Sequence, residues 1–113
     1  MDFNRKLKAI VFTDIVNCTK IMSENESLGY DYIKQHSKLI KNQISSYNGE
    51  LLKELGDGCL LIFNSAYDAL QFSKNIQSII SKEKDFKIRI GIHVGDIMQE
   101  GNDYFGSGVN IAS

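Results

Sequence analysis

The clearest pattern in the chain is Lys87-Ile88-Arg89-Ile90-Gly91-Ile92-His93-Val94, where apolar and other residues alternate without a break. A period of two places Ile88, Ile90, Ile92 and Val94 on one side of a half-buried strand, with Arg89, Gly91 and His93 on the other. Earlier, residues 7–15 are rich in apolar and β-branched side chains and predict a buried strand. Between residues 23 and 47 the spacing turns helical. Leu28, Tyr32, His36, Leu39, Ile40, Ile44 and Tyr47 share a face, which predicts one long amphipathic helix. Asn48-Gly49 ends it, the glycine taking the usual C-terminal position. Two short strands over 50–55 and 59–63 follow, joined by Gly56-Asp57-Gly58, and Asp-Gly between apolar runs is a hairpin signal. Ser65 with Asp68 resembles a capping box and opens a second helix, whose expected face is Ala66, Ala69, Leu70, Ser73, Ile76 and Ile80.

Strand, helix, strand, strand, helix, strand is the split βαβ order of ferredoxin-like domains. The expected fold class is therefore α+β: a ferredoxin-like antiparallel sheet with helices on one face. The opposite face, carrying Arg89, Gly91 and His93, is expected to be left uncovered and to take a partner. Residues 109–113 read as the first turns of a further helix.

Composition narrows the function classes. The 113 residues suit one domain, and no linker or repeat divides them. Thirteen basic against fourteen acidic residues leave a net charge of −1, without the basic footprint of a nucleic-acid binder. No apolar run approaches a membrane span. Asp14 interrupts the one run, residues 9–12, that faintly suggests a signal peptide. Cys18 and Cys59 each lie beside apolar residues and are expected to be reduced, buried thiols, which points to a cytoplasmic protein.

Candidate chemistry centres on two aspartates. Asp14 stands at the end of a buried strand, where a carboxylate can hold a hard cation such as Mg²⁺. Val16, Asn17, Cys18 and Thr19 then lead into a helix N-terminus, which favours a phosphate. Asp57 occupies the hairpin tip, which in such a sheet can lie beside the first strand's end. Alone, Asp14 reads as a helix cap and Asp57 as a turn residue. Together they form the minimal clamp for two-metal phosphoryl chemistry. His36, on the apolar stripe of its helix, reads as a core or boundary residue, and His93 as interfacial. No metal-ligand spacing links the two histidines.

Four ordered motifs carry a resemblance. Phe12-Thr13-Asp14-Ile15 with Thr19 comes first, then Lys53-x-x-Gly56-Asp57, then Gly91-Ile92-His93-x-Gly95. Asp103-Tyr104-Phe105-Gly106-x-x-Val109-Asn110-x-Ala112-Ser113 completes the series. In that order they resemble the class III adenylate/guanylate cyclase catalytic domain, in its bacterial form, over residues 8–113 of a chain read as one partial domain, 1–113. The resemblance implies that Asp14 and Asp57 hold two Mg²⁺ or Mn²⁺ ions, helped by the carbonyl of Ile15. It implies that Lys53 and Asp103 read the purine, and this pair resembles adenylate rather than guanylate cyclases. Asn110 would orient the ribose. The implied reaction converts ATP to 3′,5′-cyclic AMP and pyrophosphate at sites formed across a head-to-tail homodimer. A longer parent would add sensor or regulatory domains.

The family motif continues from Ser113 to an arginine, and the given sequence stops before it. Without that charge, and a later phosphate-contacting lysine, these 113 residues are expected to be weakly active or inactive by themselves. The alternative reading is a non-catalytic nucleotide-binding or dimerisation module. A diguanylate cyclase is disfavoured because its Gly-Gly-Asp/Glu-Glu-Phe hairpin signature is missing.

Overall fold

The computed structural model describes residues 4–100 and 103–105. It contains β1 (Asn4–Ile15), α1 (Cys18–Glu24), α2 (Glu26–Gln43), a 3₁₀ turn (Ile44–Tyr47), β2 (Gly49–Leu55) and β3 (Gly58–Phe63). It continues with α3 (Ala66–Glu83), β4 (Ile88–Glu100) and β5 (Asp103–Phe105). The strands form one sheet in the order β2-β3-β1-β4-β5, and every neighbouring pair is antiparallel. With β3 inserted between β1 and β2, this is the expected split βαβ arrangement.

The expected long helix is α2 with the 3₁₀ turn that follows it, and a separate short helix, α1, precedes it. Asn25 is extended, and its side chain accepts the Leu28 N–H at 3.1 Å, which starts α2 afresh. The left-handed residue that ends the following 3₁₀ turn is Asn48, with φ 59°, rather than Gly49. Ser65 caps α3 as expected, accepting the Asp68 N–H at 3.1 Å. The buried stripe of α3 is Ala69, Phe72, Ser73, Ile76 and Ile80, so Phe72 replaces the expected Leu70, which is half exposed.

The helices cover one face. There Ala9, Val11 and Ile15 of β1 meet Cys59, Leu61 and Phe63 of β3, with Leu39 and Ile40 of α2 and the α3 stripe above them. Phe63 and Phe72 pack with ring centroids 4.9 Å apart at the centre. Of the four alternating aliphatics on β4, Ile88 is buried and Ile90 partly so, while Ile92 and Val94 are more than two-fifths exposed.

The opposite face corrects an expectation, because part of it is closed by the chain itself. β1 and β4 pair over twelve residues, Asn4↔Gln99 to Ile15↔Ile88, while β3 reaches only Ala9 to Asp14 of β1. The surplus forms a two-stranded ribbon extended by β5. Ile97 is buried with Ile10, Leu60 and Ile62 in a second cluster, against which Leu52, Leu55 and Tyr104 pack. The Tyr104 hydroxyl donates to Glu50 of β2 at 2.9 Å, although β2 and β5 are the two edges of the sheet. The ribbon therefore curls back across this face.

Candidate active site

The β2–β3 hairpin brings the two aspartates together. Its loop is the pair Gly56-Asp57, since Leu55 pairs with Gly58, and Gly56 has φ +60°, a conformation natural to glycine. The turn is thus one residue earlier than Asp57-Gly58, and Gly58 begins β3. A Cβ at Gly58 would lie 2.2 Å from the Thr13 carbonyl oxygen, so the residue's bareness allows β3 to close on the end of β1. Gly58 is the register partner of Asp14, and the Ile15 N–H donates to the Asp57 carbonyl at 3.1 Å. Asp57 is thereby held beside Asp14 by main-chain bonds.

After Ile15 the chain turns sharply. The Val16 N–H donates to the Lys87 carbonyl at 2.8 Å, and Asn17, with φ 58°, swings the backbone into α1. Ile15, Val16, Asn17, Cys18 and Thr19 line an open hollow of about 540 Å³, with Lys20, Ser23, Asp57 and Arg89 on its other sides. The N–H groups of the first helical turn have no intrahelical acceptor. Burial, and then the charge of Asp57, pushes the Cys18 thiol pKa up, so it is not a nucleophile at neutral pH.

Arg89 is the residue of this hollow that pattern reading does not bring to it. It lies directly across the sheet from Asp14, and its guanidinium grips the carboxylate from Nε at 2.9 Å and Nη2 at 3.2 Å. This pairing raises the arginine's pKa. Alternation alone assigns Arg89 to a face; only the β1–β4 register assigns it to Asp14.

Behind the aspartates lies a buried polar pair. Thr13 Oγ1 and His36 Nε2 are 2.8 Å apart, both residues at most 2% exposed. Burial pushes the His36 pKa below 6.5 against the opposing fields of Asp57, Asp14 and Glu54, so the imidazole is neutral at pH 7. His36 is thus the core residue its position on the apolar stripe suggests. Burial also raises the Cys59 thiol to about 11. Both cysteines are free and buried. Among the described residues, no three His, Cys, Asp or Glu side chains converge, so neither histidine takes part in such a cluster.

The expected purine residues are on the two edge strands of the sheet. Lys53 is exposed on β2, opposite Leu60 and just past a bulge. Asp103 opens β5, opposite Glu100. The Tyr104–Glu50 bond ties the strand bearing Asp103 to the strand bearing Lys53. Asn110 lies outside the described residues.

Comparison with known proteins settles the family. A model of the adenylate and guanylate cyclase catalytic domain matches residues 5–113. The chain belongs to this cyclase family. A putative adenylate cyclase 3 of Rhizobium meliloti is 29% identical over 96% of the chain, and the chain spans only 20% of that relative's length. The crystal structure of an adenylate/guanylate cyclase/hydrolase from Silicibacter pomeroyi superposes with a TM-score of 0.80 at 34% identity, covering 98% of this chain and 69% of that one. The adenylyl cyclase CyaB from P. aeruginosa shares the fold, with a TM-score of 0.80 at 18% identity over 99% of this chain and 71% of its own. No helix among the described residues of this cyclase domain is long and apolar enough to cross a membrane.

Proposed function

We propose that this cyclase domain makes 3′,5′-cyclic AMP and pyrophosphate from ATP, with Asp14, Asp57 and the Ile15 carbonyl as the ligands of two Mg²⁺ or Mn²⁺ ions. The observation that carries the reading is the bond from Ile15 N–H to the Asp57 carbonyl, which sets Asp57, on the rim of the hollow, next to the strand end that bears Asp14. This donor set fits the metal: it is all oxygen, hard and anionic, and the cation Arg89 already rests on half of it. When bound, a divalent ion there lowers the pKa of the ribose 3′-OH and screens the phosphate charge.

The chain's own residues do the rest. Val16 to Thr19 line the triphosphate's hollow, the first turn of α1 from Cys18 on offers it N–H groups, and Arg89 and Lys20 on the same hollow offer positive charge. Lys53 and Asp103 select adenine, a lysine donor for N1 and a carboxylate acceptor for the exocyclic amine. Asn110 orients the ribose. The domain acts as a cytoplasmic homodimer in which Asp14 and Asp57 of one copy face Lys53, Asp103 and Asn110 of the other. Sensor or regulatory domains in a longer parent would set its activity.

Cyclic AMP formation from ATP with Mn²⁺ tests this, using this chain and a form continued through the rest of the cyclase domain. Turnover by the longer form that Asp57→Ala removes is the expected result. ATP bound stoichiometrically without turnover in both forms would replace the proposal with a nucleotide-binding module.

A further inference from the structure

We propose that Arg89 is a built-in counter-cation that holds the metal's place on Asp14, so that a divalent ion reaches this carboxylate only by displacing the guanidinium. The inference rests on the reading of Asp14 as a metal ligand and adds a competition that this reading does not contain. Asp14 and Arg89 are register partners on adjacent strands, so their side chains leave the same face with Cβ atoms about 5 Å apart. Each carboxylate oxygen accepts one guanidinium N–H, the bidentate form of this pair. A Mg²⁺ ion needs a lone pair of the same oxygens at about 2.0–2.1 Å, and the guanidinium would then face a second cation at contact distance.

Two features make displacement feasible. The Arg89 side chain is 71% exposed, and among the described residues Asp14 is its one ion-pair partner, Asp57 acting on it only at longer range. It also lines the hollow, so it can move off Asp14 without leaving the site. The pairing has a physical reason: Asp14, at the end of β1, and Asp57, in the turn bonded to that end, are like charges, and a neighbouring cation relieves their repulsion. Because the pair is open to solvent it is weak, and releasing it should change affinity by no more than roughly fivefold.

The test is Mn²⁺ titration of the full chain followed by electron paramagnetic resonance, without nucleotide. Arg89→Ala should tighten Mn²⁺ binding about two- to fivefold. Arg89→Lys keeps the charge but loses the two-pronged grip, and should also tighten it. Equal affinity of Arg89→Lys and the unmodified protein would reduce Arg89 to a distant charge and overturn the proposal. Asp14→Asn separates the two layers of argument. If it weakens Mn²⁺ by about tenfold or more while Arg89→Ala changes nothing, the metal reading stands and the displacement fails. If Asp14→Asn leaves Mn²⁺ binding unchanged, both fall. A direct readout is the ¹⁵N resonance of Arg89 Nε–H, which should shift and exchange faster with water as Mg²⁺ is added. A resonance unmoved at saturating Mg²⁺ would also overturn the proposal.

Discussion

The two ends of the candidate site are built from different materials. At the aspartate end, position is set by the backbone: the Gly56-Asp57 turn, the bare Gly58 against the Thr13 carbonyl, and the bond from Ile15 to Asp57. Where the two edge strands meet, the strand that bears Asp103 is joined to β2 by side chains, through the bond from Tyr104 to Glu50 and the packing of Tyr104, Leu52 and Leu55 on one cluster. Main-chain placement leaves little room for variation, whereas side-chain placement can be retuned by a single substitution.

Four substitutions break or sharpen that contrast. Asp57→Ala has the largest expected effect, lowering cyclic AMP formation by the continued domain on the order of a thousandfold. Its melting temperature should hardly move, since the carbonyl that bonds Ile15 remains; a matching loss of stability would make Asp57 a turn residue only. Gly58→Ala forces a methyl group against backbone and should cost roughly 3 kcal/mol in urea unfolding. An unchanged midpoint would show that the hairpin is not clamped as described.

The third test concerns the buried support beneath the aspartates. The folded-state pKa of His36 lies below its unfolded value of 6.5, so the unfolded chain binds more protons as the pH falls through 6.5. Stability should therefore decline with acidification from about pH 7, by up to about 1.4 kcal/mol per pH unit, until the folded-state pKa is reached. His36→Gln should flatten that part of the unfolding profile; an equally steep profile in the variant would assign the slope elsewhere. The smallest effect is expected at the other end. Tyr104→Phe should change stability by less than about 1 kcal/mol and alter the ATP-to-GTP preference of the continued domain a few-fold. A preference unaffected by the lost hydroxyl would mean that β5 is positioned without it.

How much of this was readable in the sequence depends on the kind of signal. The β4 alternation, the Ser65 cap and the split βαβ order are local periodicities, and each appears in the structure. The break at Asn25 is a side-chain cap, and in the sequence Asn25 is one polar residue among five, Ser23 to Ser27, so it does not stand out. The second cluster is hidden for another reason: Ile10, Leu60 and Ile62 sit inside unbroken apolar runs, where alternation cannot assign a face. Ile97 lies past the end of the alternating segment, on the ribbon. The grip of Arg89 on Asp14 joins residues 75 apart in sequence, and only strand register brings it into view.

The two-residue turn at the hairpin tip also acts as a ruler. One inserted residue there would slide Asp57 by about 3.4 Å along its strand or turn it to the other face of the pleat, out of reach of any ion held by Asp14. Loop length here is therefore as constrained as loop chemistry. Among homologous chains, deletions and insertions should collect elsewhere, for instance where β4 hands over to β5, and leave this turn at two residues.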